Sequence, residues 1–265
     1  MTPQELDAPW QKLLQKPYAR VHFVQLYDSA QDSLSINVSE YVSAGLRCGD
    51  GVLLAATAEH QKTFCAEPVP RVWRDQLVRL DAAETLAQIC VKGRPDWQRF
   101  SSVCGAALAR VHPRKPSNSI RVYGELVGLL WKSRRYEAAV RLEKFWNRMM
   151  SQASFSLYCG YSMDPFDPES GNLSLDEMLC THSHVVPSDP DGRLKKALLR
   201  ALQEDLGEKS HEILNLSLAR RSASWISLSE AEALLLWVKK HIPERAAQIL
   251  AIAREHYFRP ATLTA

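Results

Sequence analysis

An uninterrupted apolar run at residues 52–56, preceded by glycine, constrains the fold of this 265-residue chain more than any other segment. Such a run is typical of a strand buried on both faces, as in a parallel sheet. Lys62 and Thr63 follow it, in the arrangement of a phosphate-binding loop, G-x-x-x-x-G-K-[ST]. Ala56 and Gln61 stand at the two glycine positions of that motif. Because those glycines let backbone N–H groups turn toward phosphate, the segment predicts a nucleotide-binding scaffold whose phosphate loop is degenerate.

The rest of the first 188 residues alternates between strand-like and helix-like segments. Further strands are predicted at residues 21–27, 76–80, 119–123, 155–160 and 183–186. This alternation predicts an α/β fold with a parallel sheet covered by helices on both faces. A cluster of turn formers at 188–192 then marks a domain boundary. Beyond it only helices are predicted, at 194–206, 211–219, 227–241 and 243–258, so that residues 189–265 form a small all-helical domain.

Composition and charge limit the binding partners and the cellular location that the sequence predicts. The net charge of +3 is too small to predict nucleic-acid binding by itself. The six cysteines contain no C-x-x-C pair, which indicates reduced thiols and a cytoplasmic location. The N-terminus lacks the apolar core of a signal peptide, and no apolar run reaches membrane-spanning length, so we expect no membrane contact.

Polar residues that end or follow the predicted strands indicate a ligand site. Ligands of open α/β sheets bind at the carboxyl edge of the strands. Together with Lys62 and Thr63, the predicted ligand-binding residues there are Tyr27, Thr57, His60, Asp81, Glu125 and Tyr161. Each has a simpler interpretation. Asp81 and Glu84 have the spacing of a capping box, and we favour that role for them. His60 is equally compatible with an exposed loop, and Tyr27 and Tyr161 with core packing.

A second group of polar residues is predicted to be structural. Glu143 falls in the middle of an apolar helix face at residues 136–150, where a carboxylate must be paired or hydrogen-bonded. Arg121 is the suggested partner, with Glu125 as a competitor, and Asn147 lies one turn further on. His182, His184 and Cys180 resemble a metal cluster only weakly, so we expect no metal and no cofactor. No spacing supports a catalytic triad, and no catalytic residue is predicted.

Several motifs in order resemble a known family. They are HFVQLYDS at 22–29, GLRCGDGVLLAAT at 45–57, LDAAETL at 80–86, RVYGELVGLLW at 121–131, AAVRLEKFWN at 138–147, FSLYCGY at 155–161 and HSHVVP at 182–187. Over roughly residues 15–188 the chain resembles the MEDS domains, the methanogen/methylotroph DcmR sensory domains. The resemblance implies a RecA- or KaiC-like fold used as a bacterial sensory module in regulators and sensor kinases. It also implies small ligands such as hydrocarbon derivatives, and carries no established catalytic residues.

Three functions are therefore expected in order. The first is non-catalytic sensing of a small molecule in signal transduction or transcriptional control, with a signalling protein as partner. The second is ATP binding or hydrolysis of the KaiC type. The third is DNA binding through the tail, whose basic pairs also suit solvated helix faces. Apolar stripes on the last two helices predict a homodimer to which the tail contributes; they consist of Leu234, Leu235 and Val238, and of Ile249, Leu250, Ala253 and Tyr257.

Overall fold

A computed structural model describes residues 9–27, 33–65, 69–167, 173–187, 192–208 and 229–259, together with Ser210 and Asn215. The chain divides into two compact units, Met1–Ser162 and Met163–Ala265. The predicted domain boundary at 188–192 and the predicted helix at 211–219 lie almost entirely outside the described residues. Among the described residues, no helix has both the length and the apolar character needed to cross a bilayer.

The first unit is built on a parallel sheet, as the strand pattern predicted. In spatial order its strands are β3 (Leu77–Asp81), β2 (Gly51–Ala56), β6 (Ile120–Gly124), β7 (Ser156–Ser162) and β1 (His22–Tyr27). The central register places Leu53 of β2 between Val78 of β3 and Val122 of β6. Every residue of β2 is buried, which confirms that the apolar run is covered on both faces.

Seven helices of the first unit form two packed groups. Helices α1 (Pro9–Gln15), α2 (Ser33–Cys48) and α3 (Ala58–Phe64) contact one another in sequence order. The second group consists of α4 (Ala82–Ile89), α5 (Trp97–Ala109), α6 (Leu126–Lys132) and α7 (Tyr136–Gln152). Both groups also contact strands, so that the sheet carries helices on its two faces. This layering is the α/β architecture predicted from the alternation of segments.

A short hairpin between α4 and α5 was not predicted. Strands β4 (Cys90–Val91) and β5 (Arg94–Pro95) pair in antiparallel fashion. The two residues between them, Lys92 and Gly93, have φ values of 47° and 79°. A two-residue turn with positive φ at both positions matches the twist of a hairpin. Strands of two residues are too short to show an alternating pattern, so only this turn distinguishes them in the sequence.

Arg121 ties β6 to the first group of helices. Its Nε donates a 2.8 Å hydrogen bond to Asp50 Oδ2, and its terminal nitrogens donate to the carbonyls of Leu14, Gln15 and Tyr41. Only 1% of the residue is exposed. The pairing of Arg121 with Glu143 that the sequence suggested is therefore wrong, because Asp50 compensates the charge of the guanidinium instead. Strand pairing brings Asp50 and Arg121 together, and their separation of 71 residues hides that contact in the sequence.

Five regular elements are described in the second unit: α8 (Leu173–Leu179), β8 (His184–Val186), α9 (Arg193–Leu206), α10 (Glu230–His241) and α11 (Pro243–Phe258). Ser229 and Glu232 form a capping box at the start of α10, and Pro243 opens α11. The apolar stripes of α10 and α11 are buried with α9 in one core. Their burial needs no second copy of the chain, and the homodimer stays a prediction.

Candidate functional site

A cavity of about 410 Å³ lies at the carboxyl edge of the sheet in the first unit. Each of four strands brings a polar residue to it, at or just after the last position of the strand; these are Tyr27, Thr57, Glu125 and Ser162. Helices α2, α3 and α6 supply other wall residues, namely Leu34, Ser35, Glu59, His60, Thr63, Gly128, Leu129 and Lys132. The volume falls in the usual range for small-molecule sites, and the position is the one expected for a parallel sheet.

Glu125 is the most strongly held group in the cavity wall. It directly follows β6, and only 4% of its side chain is exposed. Its Oε2 accepts a 2.8 Å hydrogen bond from the backbone N–H of Thr57, and its Oε1 accepts a 3.0 Å bond from the Tyr123 hydroxyl. His60 Nδ1 also contacts Oε1. Three donors from two strands and a helix thus compensate a carboxylate that burial would otherwise destabilise.

His60 and Glu125 form an ion pair at this site. The hydrogen bond to Glu125 raises the pKa of the His60 imidazole, and partial burial opposes that rise. The side chain of His60 keeps 28% of its surface exposed. Its ring lies 4.9 Å from that of Phe64 and 6.3 Å from that of Tyr27, centroid to centroid. The cavity wall therefore presents an imidazole, held by Glu125, beside an aromatic surface.

Tyr27 and Ser162 also line the cavity, at the ends of β1 and β7. Burial is the main reason why the pKa of the Tyr27 hydroxyl is raised, and the negative charge of Glu125 adds to the effect. A hydrogen bond with Ser162 acts in the other direction. The Tyr27 hydroxyl, like that of an unperturbed tyrosine, keeps its proton at physiological pH, and it can act as both a donor and an acceptor.

The structure brings five of the eight predicted ligand residues to this cavity: Tyr27, Thr57, His60, Thr63 and Glu125. Their contact with a ligand stays a prediction. The other three lie elsewhere. Lys62 is exposed on α3, and Asp81 caps α4 by accepting a 2.9 Å hydrogen bond from the N–H of Glu84, as the capping interpretation predicted. Tyr161 donates a 2.5 Å bond to Glu143 and does not line the cavity.

Several wall residues escaped the sequence analysis. Gly128 is the clearest case, because a Cβ atom there would lie 2.3 Å from the carbonyl oxygen of Gly160. Glycine at this position lets α6 approach β7 closely. The signal was a glycine inside an otherwise apolar helix, which commonly marks close packing. Lys132 and Ser162 carried no recognisable pattern at all, since both reach the cavity only through tertiary structure.

The segment that resembles a phosphate loop is occupied by internal hydrogen bonds. Helix α3 begins at Ala58, directly after Thr57, whose side chain caps it. Gln61 stands at the second glycine position of the motif, and its Nε2 donates to the carbonyls of Ala56 and Leu80 at 3.0 and 2.8 Å. The amide of Gln61 thereby links the ends of β2 and β3. No glycine is present in this segment to turn N–H groups outward.

A second buried polar cluster surrounds Glu143 of α7. The Tyr161 hydroxyl donates to Glu143 Oε1, and the Cys159 thiol donates to Oε2 at 3.6 Å. His22 Nε2 lies 3.4 Å from the same Oε2 atom, and His22 Nδ1 lies 3.0 Å from Asn147 Oδ1. Burial, followed by the charge of Glu143, raises the pKa of both Cys159 and Tyr161. Glu143 and Asn147 were predicted to share one polar network, and His22 links them by contacting both side chains. Arg121 takes no part in this network.

Comparison with known proteins supplies the family. The model of the MEDS domain, described as the methanogen/methylotroph, DcmR sensory domain, matches residues 21–183, which is more than half of the chain. No curated protein and no solved structure is detectably similar to it. The matched range contains every residue that lines the cavity and every residue of the cluster around Glu143. The chain therefore belongs to the family of MEDS domains, whose role is the sensing of a signal.

Proposed function

We propose that the cavity beside Glu125 and His60 is the sensory site, and that the domain binds a small molecule there without transforming it. The observation that carries this proposal is the position of the partly buried His60–Glu125 pair in the wall of a 410 Å³ cavity at the carboxyl edge of the sheet. Membership of a sensory family supports the same function. A ligand that touches His60 or Glu125 changes the hydrogen bonds that join α3 to β6.

The lining indicates the chemical class of the ligand. Leu34 and Leu129 supply apolar surface, whereas Ser35, Thr57 and Ser162 supply hydroxyl groups. A short hydrocarbon derivative that carries one polar group fits such a mixed wall, because its chain covers the apolar side while the polar group bonds to the hydroxyls or to His60. This class agrees with what the family resemblance implies.

The hydrogen bonding of residues 57–63 argues against a nucleotide as the ligand. Phosphate binding by a loop depends on backbone N–H groups that point at the anion. Here the N–H of Thr57 bonds to the Glu125 carboxylate, and α3 starts one residue later. A phosphate near Thr57 would also meet the negative charge of Glu125. The experiment therefore has to distinguish small-molecule sensing from ATP binding or hydrolysis.

The test is a thermal-shift screen of the full chain with short-chain alcohols, organic halides and carboxylic acids, and separately with ATP and Mg²⁺. We expect a member of the first panel to raise the melting temperature and to be recovered unchanged. Glu125→Gln and Ser162→Leu are expected to weaken that binding at least about tenfold, since each alters the cavity wall. Lys62→Ala is the matched control, because Lys62 is exposed on α3 outside the cavity.

Two results would overturn the proposal. The first is ATP turnover by the pure chain that Lys62→Ala abolishes, which would establish the nucleotide alternative. The second is a stabilising ligand whose binding survives both Glu125→Gln and Ser162→Leu, which would place the sensory site elsewhere.

A further inference from the structure

Three side chains of metal-binding type converge inside the first unit, away from the cavity. His22 opens β1, Cys159 lies in the neighbouring strand β7, and Glu143 lies on α7. His22 pairs with Leu157, two residues before Cys159, so that the side chains of His22 and Cys159 project from the same face of the sheet. His22 is 2% exposed, and the other two are fully buried. The backbone therefore brings an imidazole, a carboxylate and a thiol together in a protein interior.

The distances between their ligand atoms match a tetrahedral metal centre. His22 Nε2 lies 3.4 Å from Cys159 Sγ and 3.4 Å from Glu143 Oε2, and Sγ lies 3.6 Å from Oε2. Zinc bonds of about 2.0–2.3 Å to nitrogen, oxygen and sulfur place such atoms roughly 3.3–3.6 Å apart at tetrahedral angles. One ion at the centre of the three atoms would thus reach all of them without rearrangement.

Two further residues orient the ligand atoms. Asn147 Oδ1 accepts a 3.0 Å hydrogen bond from His22 Nδ1, which leaves the lone pair of Nε2 directed at Cys159 and Glu143. The Tyr161 hydroxyl donates to Glu143 Oε1, which leaves Oε2 as the atom that faces the other two. Supporting hydrogen bonds of this kind are the usual second layer around a bound metal, and they fix the tautomer of the histidine.

The charge of the cluster also favours a cation. The Glu143 side chain is fully buried, and a metal ion bound to Oε2 would supply a compensating positive charge there. Zinc accepts nitrogen, oxygen and sulfur ligands in tetrahedral sites.

We propose that His22 Nε2, Glu143 Oε2 and Cys159 Sγ bind one zinc ion. Cys159 binds as the thiolate, and its proton passes to the solvent when the metal enters. The fourth tetrahedral position is left to a ligand atom beyond these three. The sequence predicted no metal site, because the three residues are separated by 121 and 16 positions and share no motif. This site is distinct from the sensory cavity and does not depend on the proposed function.

The first experiment uses the full chain after removal of metals with a chelator. Zinc is added in competition with a chromophoric chelator, and we expect one ion to bind per chain. Cobalt(II) is then added in place of zinc, and we expect the intense absorption of a cysteine thiolate bound to cobalt together with the visible bands of a tetrahedral ion. Failure of the folded chain to bind zinc stoichiometrically would overturn the proposal.

The second experiment uses matched variants. Cys159→Ser and Glu143→Gln keep the side-chain volume and are expected to weaken zinc binding at least about tenfold, and Asn147→Ala by roughly 10- to 100-fold. Cys104→Ser, at another buried free cysteine, is the control and should leave affinity unchanged. Equal effects of Cys159→Ser and Cys104→Ser would contradict the proposal. If Cys159→Ser fails to fold, the rate at which Cys159 is alkylated in the wild-type chain is measured with and without zinc. Zinc is expected to slow this alkylation, and an unchanged rate would overturn the site.

Discussion

The backbone N–H of Thr57 donates a 2.8 Å hydrogen bond to the carboxylate of Glu125, a residue 68 positions further along the chain. This bond joins the end of β2 to the end of β6 at the edge of the sheet. In a phosphate loop the N–H groups of this segment would face an anionic ligand. Here an internal carboxylate takes that place, and the same carboxylate holds His60. The relationship ties the segment that resembles a phosphate loop to the candidate sensory cavity.

Glu125→Gln should lower the pKa of His60. The hydrogen bond to Glu125 is the main cause of the raised pKa, so that its loss leaves desolvation and the charge of Lys132, which lower the pKa, opposed only by the charge of Glu59. The measurement is an NMR titration of the imidazole resonances. Glu59→Gln serves as the control, because Glu59 is exposed and acts only through its charge; it should lower the pKa less. A larger decrease in the control would show that Glu125 is not the dominant partner.

The same pair should make stability depend on pH. Because the pKa of His60 is higher in the folded than in the unfolded chain, its contribution is fully present below the unfolded value of about 6.5. We expect the free energy of unfolding to fall as the pH rises from about 6.5 through the folded pKa. Urea unfolding at a series of pH values measures this. His60→Gln should flatten the curve in that window, and an unchanged slope would contradict the assignment.

Arg121→Met should destabilise the first unit strongly. The substitution removes the charge that compensates Asp50 and the donors to three carbonyl groups. Breaking a buried pair in this way costs about 3–5 kcal/mol. Arg47→Met is the matched control, because Arg47 and Glu40 form an exposed pair worth at most about 1 kcal/mol. Urea unfolding of both variants gives the comparison, and similar losses would refute the role assigned to Arg121.

Lys239→Met should change how stability depends on alkaline pH. Burial lowers the pKa of Lys239 to about 8, and its Nζ donates a 2.8 Å bond to the carbonyl of Asp167. Between about pH 8 and 10 the unfolded chain holds a proton that the folded chain lacks, so the free energy of unfolding should rise with pH. The variant should lose that rise, which is on the order of 1–3 kcal/mol. Lys240→Met, at the exposed neighbour, should retain it.

The full chain is expected to be a homodimer, because twofold pairs are the commonest closed assemblies. Sedimentation analysis of the full chain and of a chain that ends near Pro187 tests this. A dimer that disappears on truncation would assign the contact to the tail. If the truncated chain is still a dimer, the contact lies in the residues that remain. That result would agree with the burial of the tail's apolar stripes inside the second unit. A monomeric full chain would refute the prediction.

Much of the fold could be predicted because its signals are local. The apolar run of β2, the alternation of strands and helices, and the cap at Asp81 each depend on neighbouring residues. Parallel strands end at one edge of a sheet, and this rule alone brought Thr57, His60 and Glu125 together as candidates. The same rule failed for Tyr161, because it does not say toward which face a strand residue projects.

What the sequence by itself determined is the α/β class, the family and the edge of the sheet at which the cavity lies. Only the tertiary structure decided which partner each buried charge has. Arg121 was free to pair with Glu143 on the pattern alone, yet the register of the sheet gives it Asp50 and gives Glu143 the side chains of His22 and Cys159. The physical reason is that a buried charge is stabilised by groups within a few ångströms, and strand pairing makes neighbours of residues far apart in the chain.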